Sequence, residues 1–312
     1  MKTSAVIFER PGEVALRQLA LNVPGPDDVV IEAIASGVST GTEKMLFNGT
    51  MPAFPGMRYP LVPGYETIGQ VIEAGAVSGR KEGDLVFVPG ANCFADAAGL
   101  FGATASRLVA PGARTFKIDA AMDEDAILLA LAATAHHAVK RARGAVGLVI
   151  GHGVLGRLIA RMVIALGGEP PIVWEKAAAR RGGGEAYAVI DPSDDHASRY
   201  LTAIDASGDV AVVDAVIAQL QRPAELVLAG FYGERIGCAF APAFMRELTL
   251  SIAAEFRPED VEAVLALVDQ GRLSLENLIT HRAAPEQAET AYRTAFMDTT
   301  CLKMVIDWRN AA

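Results

Sequence analysis

The chain has 312 residues, 51% hydrophobic and 21% charged, with 28 basic against 37 acidic residues and a net charge of −9. That length suggests about two domains with ample core material. The acidic balance excludes a protein that tracks nucleic-acid phosphates and gives no attraction to anionic lipid. The three cysteines, Cys93, Cys238 and Cys301, have neither metal-ligand nor disulfide-framework spacing, which points to a reducing, cytoplasmic setting. The N-terminal apolar run is too short for a signal peptide. The longest uncharged apolar run, Ala126–Ala135, is about half of a membrane span.

Up to about residue 117 the chain reads as short strands punctuated by Gly and Pro. Strands are predicted over Ser4–Phe8, Val14–Leu19, Val29–Ala35, Thr67–Ala74, Leu85–Val88 and Ala105–Val109. Pro24-Gly25-Pro26 and Lys81-Glu82-Gly83-Asp84 are turn clusters. Asp123-Glu124-Asp125 then open a helix over the apolar stretch Ala126–Val139; Lys140, Arg141 and Arg143 close it, and Gly144 is placed for a left-handed cap.

From there strands and helices alternate. Strands are predicted over Val146–Ile150, Ile172–Trp174, Tyr187–Ile190, Leu201–Ile204, Leu226–Ala229 and Leu248–Ala254, with helices over Arg157–Leu166 and Asp209–Leu220. This is the pattern of an α/β protein with a doubly wound parallel sheet. Two further helices start at Pro258 and Pro285, the first ending at Gly271, and a strand over Leu302–Trp308 closes the chain.

Between the strand Val146–Ile150 and its helix lies Gly151-His152-Gly153-Val154-Leu155-Gly156. In this context a Gly-x-Gly-x-x-Gly run has a mechanism. Gly151 makes a tight turn, Gly153 lets backbone approach a pyrophosphate, and Gly156 lets helix and strand pack closely. The helix N-terminus offers free N–H groups to the phosphates. Glu175 ends the second strand about 20 residues on, where a carboxylate accepts the ribose hydroxyls and repels a 2′-phosphate. NAD is therefore expected over NADP, although Lys176, Arg180 and Arg181 stand near enough to attract a phosphate. His152 is expected at a phosphate or nicotinamide.

Pro63-Gly64-Tyr65-Glu66 with Gly69-Gln70-Val71, Lys81-Glu82-Gly83-Asp84-Leu85-Val86, Asp205-Ala206-Ser207-Gly208 and Ala229-Gly230-Phe231-Tyr232 resemble segments of the medium-chain dehydrogenase/reductase family. Ser36–Lys44, Pro52–Glu66, Phe87–Cys93 and Leu302–Trp308 carry the resemblance nearly end to end, toward members that act on a tetrapyrrole. The resemblance implies a Rossmann dinucleotide-binding domain over 144–256 and a β-rich GroES-like catalytic domain over 1–143 and 257–312. It implies cofactor contacts from Ala206, Ser207, Gly230 and Phe231. It also implies NAD-dependent oxidation of a 3-(1-hydroxyethyl) group on a bacteriochlorophyllide to 3-acetyl, in bacteriochlorophyll a biosynthesis and hence photosynthesis. A homodimer paired through Leu248–Ala254 is the expected assembly, without nucleic acid or membrane insertion.

Zinc-dependent members of that family place Cys where this chain has Ser39 and His where it has Tyr65. The stretch Leu129–His137 offers no Cys or Glu as a third ligand, and Cys93 stands alone where a four-Cys lobe would sit. No metal is expected; a rearranged site using Glu66 with His136 or His137 is the competing arrangement. Proton handling then falls to Glu66 and Tyr65, with Ser39, Thr40 and Thr42 as relay hydroxyls and Glu43 in reserve. One of His136 and His137 is expected to be a hydrogen-bonded core residue. The Pro-rich loop with Phe54, Met57, Arg58 and Tyr59 is read as one wall of a substrate slot, Phe94 and Phe101 as the other, and Arg58 as the partner of a substrate propionate. Competing readings are a zinc-free NADPH-dependent quinone or enone reductase and a non-catalytic nucleotide-binding scaffold.

Overall fold

The structure is a computed structural model and describes residues 1–53, 55–184, 186–196, 200–233 and 235–310. The chain divides into two units, Met1–Ala130 with Glu276–Ala312, and Leu131–Leu275. The helices Leu129–Arg141 and Pro258–Asp269 thus fall within the second unit almost entirely. Both expected boundaries, after 143 and before 257, lie inside that unit.

The second unit is built on a six-stranded sheet. Its strand order is Val189–Ile190, Ile172–Trp174, Val146–Ile150, Tyr200–Asp205, Leu220–Leu228 and Thr249–Ile252. Every neighbouring pair is parallel. Strand order reverses between Val146–Ile150 and Tyr200–Asp205, the switch point of a doubly wound Rossmann sheet. Short β-branched runs flanked by helices produce this arrangement, since both sheet faces are covered. Leu148, Trp174, Val216, Ile217 and Leu226 are among the residues that form its core.

The first unit is β-rich, as expected. A seven-stranded sheet is organised around Asp28–Val38, which pairs antiparallel with Thr67–Ala74, Arg107–Pro111 and Lys303–Asp307. The C-terminal strand therefore completes a sheet begun near the N-terminus. A four-stranded sheet holds Lys2–Arg10 against Glu13–Ala20. Phe8, Leu46, Tyr292 and Phe296 lie in one core cluster, and Val29, Ile31, Val88 and Phe94 in another.

Several local expectations shift. A helix over Thr42–Asn48 is too short to show a helical period. The long helix begins at Leu129, preceded by 3-10 turns over Ala120–Leu128 that Asp119 caps by accepting from the Ala121 N–H at 2.8 Å. Gly144 is not in the left-handed region; it supplies room instead, because a Cβ there would meet Thr202 Oγ1 at 2.7 Å. The strand predicted over Ala105–Val109 runs Arg107–Pro111, and Ala105 makes only an isolated bridge to Ala5.

Candidate active site: a dinucleotide cradle and a polar cluster

The second unit carries the glycine turn at the carboxyl edge of its sheet. Gly151 has φ +91° and donates its N–H to the Trp174 carbonyl at 2.9 Å, a backbone conformation that side chains resist. A Cβ on Gly156 would stand 1.8 Å from the Gly151 carbonyl oxygen, so the turn and the helix Val154–Ala165 touch there. Gly153 differs: a Cβ built on it meets nothing within 4 Å. It is the N-cap of that helix, and no side chain caps the helix end. The first-turn N–H groups of Val154, Leu155 and Gly156 have no intrahelical partner and suit an anion. The space over Gly153 fits a diphosphate.

Glu175 lies beside this turn. One carboxylate oxygen accepts from the His152 N–H at 3.0 Å and the other from the Ala177 N–H at 2.8 Å. Each oxygen keeps acceptor capacity, so the acid is placed to receive ribose hydroxyls next to the glycine loop. Arg181 donates to the Glu175 and Lys176 carbonyls at 2.8 and 2.9 Å and also pairs with Asp191. Lys176 stands 3.9 Å from Asp209.

His152 is placed otherwise than expected. Its imidazole is fully buried, with Nδ1 2.6 Å from the Arg180 carbonyl and Nε2 3.0 Å from the Tyr187 hydroxyl. A carbonyl only accepts, so Nδ1 carries the proton and Nε2 accepts from Tyr187. Burial pushes this imidazole down to about 4. The ring is a neutral strut between loops, with both nitrogens engaged and none left for a phosphate. Arg157 reinforces it. Its buried guanidinium donates to the carbonyls of His152, Arg180, Gly182 and Gly183 at 2.8–3.3 Å. Arg180 contributes its carbonyl to both side chains.

The other expected cofactor residues follow the next two strands. Asp205, fully buried, accepts from the Ser207 N–H at 2.8 Å and the Tyr232 hydroxyl at 2.7 Å, while its carbonyl accepts from the N–H groups of Ala229 and Gly230. Burial raises its carboxyl above the ordinary value. Asp205 thereby staples the loops carrying Ala206, Ser207, Gly230 and Phe231. Ser207 and Phe231 are exposed.

The first unit holds a polar side-chain cluster. Ser39 follows the strand Asp28–Val38, Tyr65 and Glu66 precede Thr67–Ala74, and Lys303 opens the last strand. Sheet pairing brings Ser36 opposite Thr67 and Val38 opposite Met304, so these segments meet at one end of the sheet. The Tyr65 hydroxyl donates to Ser39 Oγ at 2.8 Å. Burial, reinforced by Glu66, raises the Tyr65 phenol and keeps it protonated. It is a hydrogen-bond donor here, not a standing base.

Glu66 corrects a sequence expectation. It is fully buried and accepts from Lys303 Nζ at 2.6 Å, while Lys303, also buried, donates to the Val38 carbonyl at 3.2 Å. An enclosed, ion-paired carboxylate is no accessible proton acceptor. Ser39 and Tyr65 do not fit a zinc ion: a hydroxyl and a protonated phenol bonded to each other are poor donors. His136 and His137 both direct Nδ1 at Asp260, at 2.7 and 3.0 Å; both are structural partners where one was expected.

Of the substrate candidates, Phe101 lies edge-on to Tyr65 with ring centroids 5.5 Å apart. Met57 and Tyr59 are half-buried against the core, and the Tyr59 hydroxyl donates to the Leu46 carbonyl. Arg58 is exposed, as is Thr40. Phe94 is corrected: it is a buried core residue bridged to Leu21, not a slot wall. Phe54 lies outside the described residues.

Sequence reasoning missed Lys303, Arg157 and Tyr292. A lone Lys inside the apolar run Leu302–Ile306 and a lone Arg just after Gly156 were the available signals, since a buried cation implies a dedicated partner. Tyr292 had none.

Known proteins resemble this chain in sequence and in fold. Residues 25–120 match the alcohol dehydrogenase GroES-like domain family. The chain is 52% identical over 318 residues to the 2-desacetyl-2-hydroxyethyl bacteriochlorophyllide A dehydrogenase of Cereibacter sphaeroides, covering 100% of both chains. It is 48% identical to the Rhodobacter capsulatus protein of that name, again covering 100% of both. A solved Escherichia coli oxidoreductase/dehydrogenase of unknown specificity superposes with TM-score 0.86 at 20% identity, over 98% of this chain and 99% of that one. With 52% and 48% identity over the whole of two relatives and a GroES-like domain match, the chain belongs to the bacteriochlorophyllide A dehydrogenase family of medium-chain dehydrogenases.

Proposed function

We propose that this chain oxidises the 1-hydroxyethyl substituent of a bacteriochlorophyllide to an acetyl group, with NAD as hydride acceptor, as a homodimer. The relatives' names support the substrate. The observation that carries the redox reading is the open backbone over Gly153 beside the Glu175 carboxylate. An acid at this position favours free ribose hydroxyls over a 2′-phosphate. Arg181 is already committed to carbonyls and Asp191, so that guanidinium is engaged away from a 2′-phosphate.

A nicotinamide bound in the cradle supplies the hydride acceptor. The carbinol carbon gives up hydride and its hydroxyl gives up a proton, so a carbonyl remains. Tyr65 and Ser39 manage that proton. The Tyr65 oxygen accepts it while its own proton passes to Ser39 Oγ, which is already within hydrogen-bond reach, and the excess proton leaves to water. The carbinol carbon adjoins a conjugated macrocycle, which spreads the positive charge that develops as hydride departs and lessens the need for a Lewis acid. Half-buried Met57, Tyr59 and Phe101 offer apolar surface for the ring, and exposed Arg58 suits a propionate.

The edge strand Thr249–Ile252 supports the dimer. Among the described residues it pairs only with Leu220–Leu228. Ile252 is 65% exposed, and Phe240 and Phe244 nearby are 77% and 66% exposed. An open apolar edge of this kind suits pairing with a second copy.

The decisive experiment incubates purified protein with 3-hydroxyethyl bacteriochlorophyllide and either NAD or NADP. Acetyl pigment should appear mole for mole with reduced nicotinamide, faster with NAD. An unchanged pigment spectrum with both cofactors overturns the reading; faster turnover with NADP overturns the role of Glu175.

A further inference from the structure

Behind the Tyr65–Ser39 pair the first unit buries Glu43, Glu66, Thr104, Tyr292 and Lys303. Glu66 and Lys303 satisfy each other through one carboxylate oxygen. Four polar atoms there make no hydrogen bond of full geometry among the described residues: Glu43 Oε2, Glu66 Oε1, and the hydroxyls of Thr104 and Tyr292; the Tyr292 hydroxyl nevertheless lies close enough to Glu43 and Thr104 to interact with both. They are not scattered. Glu43, Thr104 and Glu66 are the groups that act on the Tyr292 hydroxyl. The Tyr292 ring itself is packed edge-on against Phe8 and Phe296, at centroid distances of 5.3 and 5.7 Å. Buried polar atoms are costly when incompletely paired, and such groups persist where an ordered water or a function holds them.

The remaining oxygen of Glu43 shows what the cluster does. Glu43 Oε1 accepts from the main-chain N–H of Ser39 at 3.0 Å. Glu43 stands in the first turn of the helix Thr42–Asn48, and Ser39 lies in the turn just before it. The carboxyl therefore anchors the backbone that carries the Oγ receiving the Tyr65 proton.

We propose that Glu43 is the positioning residue of the Tyr65–Ser39 pair, held in place by a closed polar cluster with Glu66, Lys303, Thr104 and Tyr292. The inference rests on the relay described above. Burial pushes the Glu43 carboxyl up to about 8; the Ser39 N–H pulls it down, Glu66 raises it, and Tyr292 and Lys303 lower it. Glu66 and Lys303 are the charged groups facing it, while Tyr65 and Tyr292 are held protonated. Glu43 thus changes charge within the pH range of enzyme assays. Above that point its bond to Ser39 is charge-assisted and stronger.

The test measures kcat and KM against pH for the full-length enzyme with NAD and hydroxyethyl bacteriochlorophyllide, in the parent, Glu43→Gln, Tyr292→Phe and Tyr65→Phe. Glu43→Gln should lower kcat by roughly 10- to 100-fold, the scale set by a misplaced reacting group, and leave the KM for NAD near the parent value. It should also erase an inflection near pH 8, where the carboxyl titrates. Tyr292→Phe should move that inflection upward, because the phenol lowers the carboxyl. Parental kcat and inflection in Glu43→Gln overturn the proposal. Should Glu43→Gln not fold, an unmoved inflection in Tyr292→Phe overturns it. Full turnover in Tyr65→Phe defeats the relay itself. An inactive Tyr65→Phe beside an unaffected Glu43→Gln defeats the positioning role alone.

Discussion

The Glu66–Lys303 pair shows how one residue changes meaning with its surroundings. In sequence Glu66 is an acid beside a tyrosine; in the fold it is one half of a closed ion pair, reached from 237 residues away. Removing Lys303 leaves a buried charge without a partner, so Lys303→Met should cost about 3–5 kcal/mol in urea unfolding. Lys303→Met combined with Glu66→Gln should recover much of that loss, because the stranded charge goes too. A double variant no more stable than the single one contradicts the pairing. Glu175 makes the opposite case, since its position after a strand and a glycine turn is readable from the chain alone. Glu175→Ala should weaken NAD roughly tenfold, about 1.4 kcal/mol, and narrow the NAD preference, as titration with both nucleotides would reveal.

Among the elements, the glycine turn and the segment around Arg180–Tyr187 behave as one piece, joined by His152 and Arg157. The imidazole of His152 sits at about 4 instead of the usual 6.5, so the folded state resists the proton that the unfolded chain accepts. The stability this contributes is fully present above pH 6.5 and is lost progressively as pH falls toward 4. The urea midpoint of the parent should therefore drop over that interval. His152→Gln should show a shallower drop; an identical slope would mean that the ring is not held neutral. The glycine spacing made the turn legible because backbone crowding there is local. The tie to Tyr187 was not legible, since it depends on where a loop returns. The helix Thr42–Asn48 was hidden for a different reason: two turns are too few to show a period.

The molecule as a whole carries an exposed apolar edge at Thr249–Ile252 with Phe240 and Phe244 beside it. Ile252→Lys should place a charge on that edge and shift the protein toward monomer in sedimentation velocity, with little effect on the core. An unchanged sedimentation coefficient removes this edge from the assembly. Among the described residues no helix is long and apolar enough to cross a membrane. The alternation of strand and helix, the Gly-x-Gly-x-x-Gly turn, the acid at the second strand end and the β-rich first unit were determined by the sequence itself. Each rests on periods and backbone demands that act over a few residues. Tertiary structure alone decided that Glu66 is sealed by Lys303, that His152 is a strut, that Phe94 is core, and that Glu43 and Tyr292 stand behind Ser39. Those outcomes depend on burial and on partners brought together by sheet closure, which no local pattern encodes.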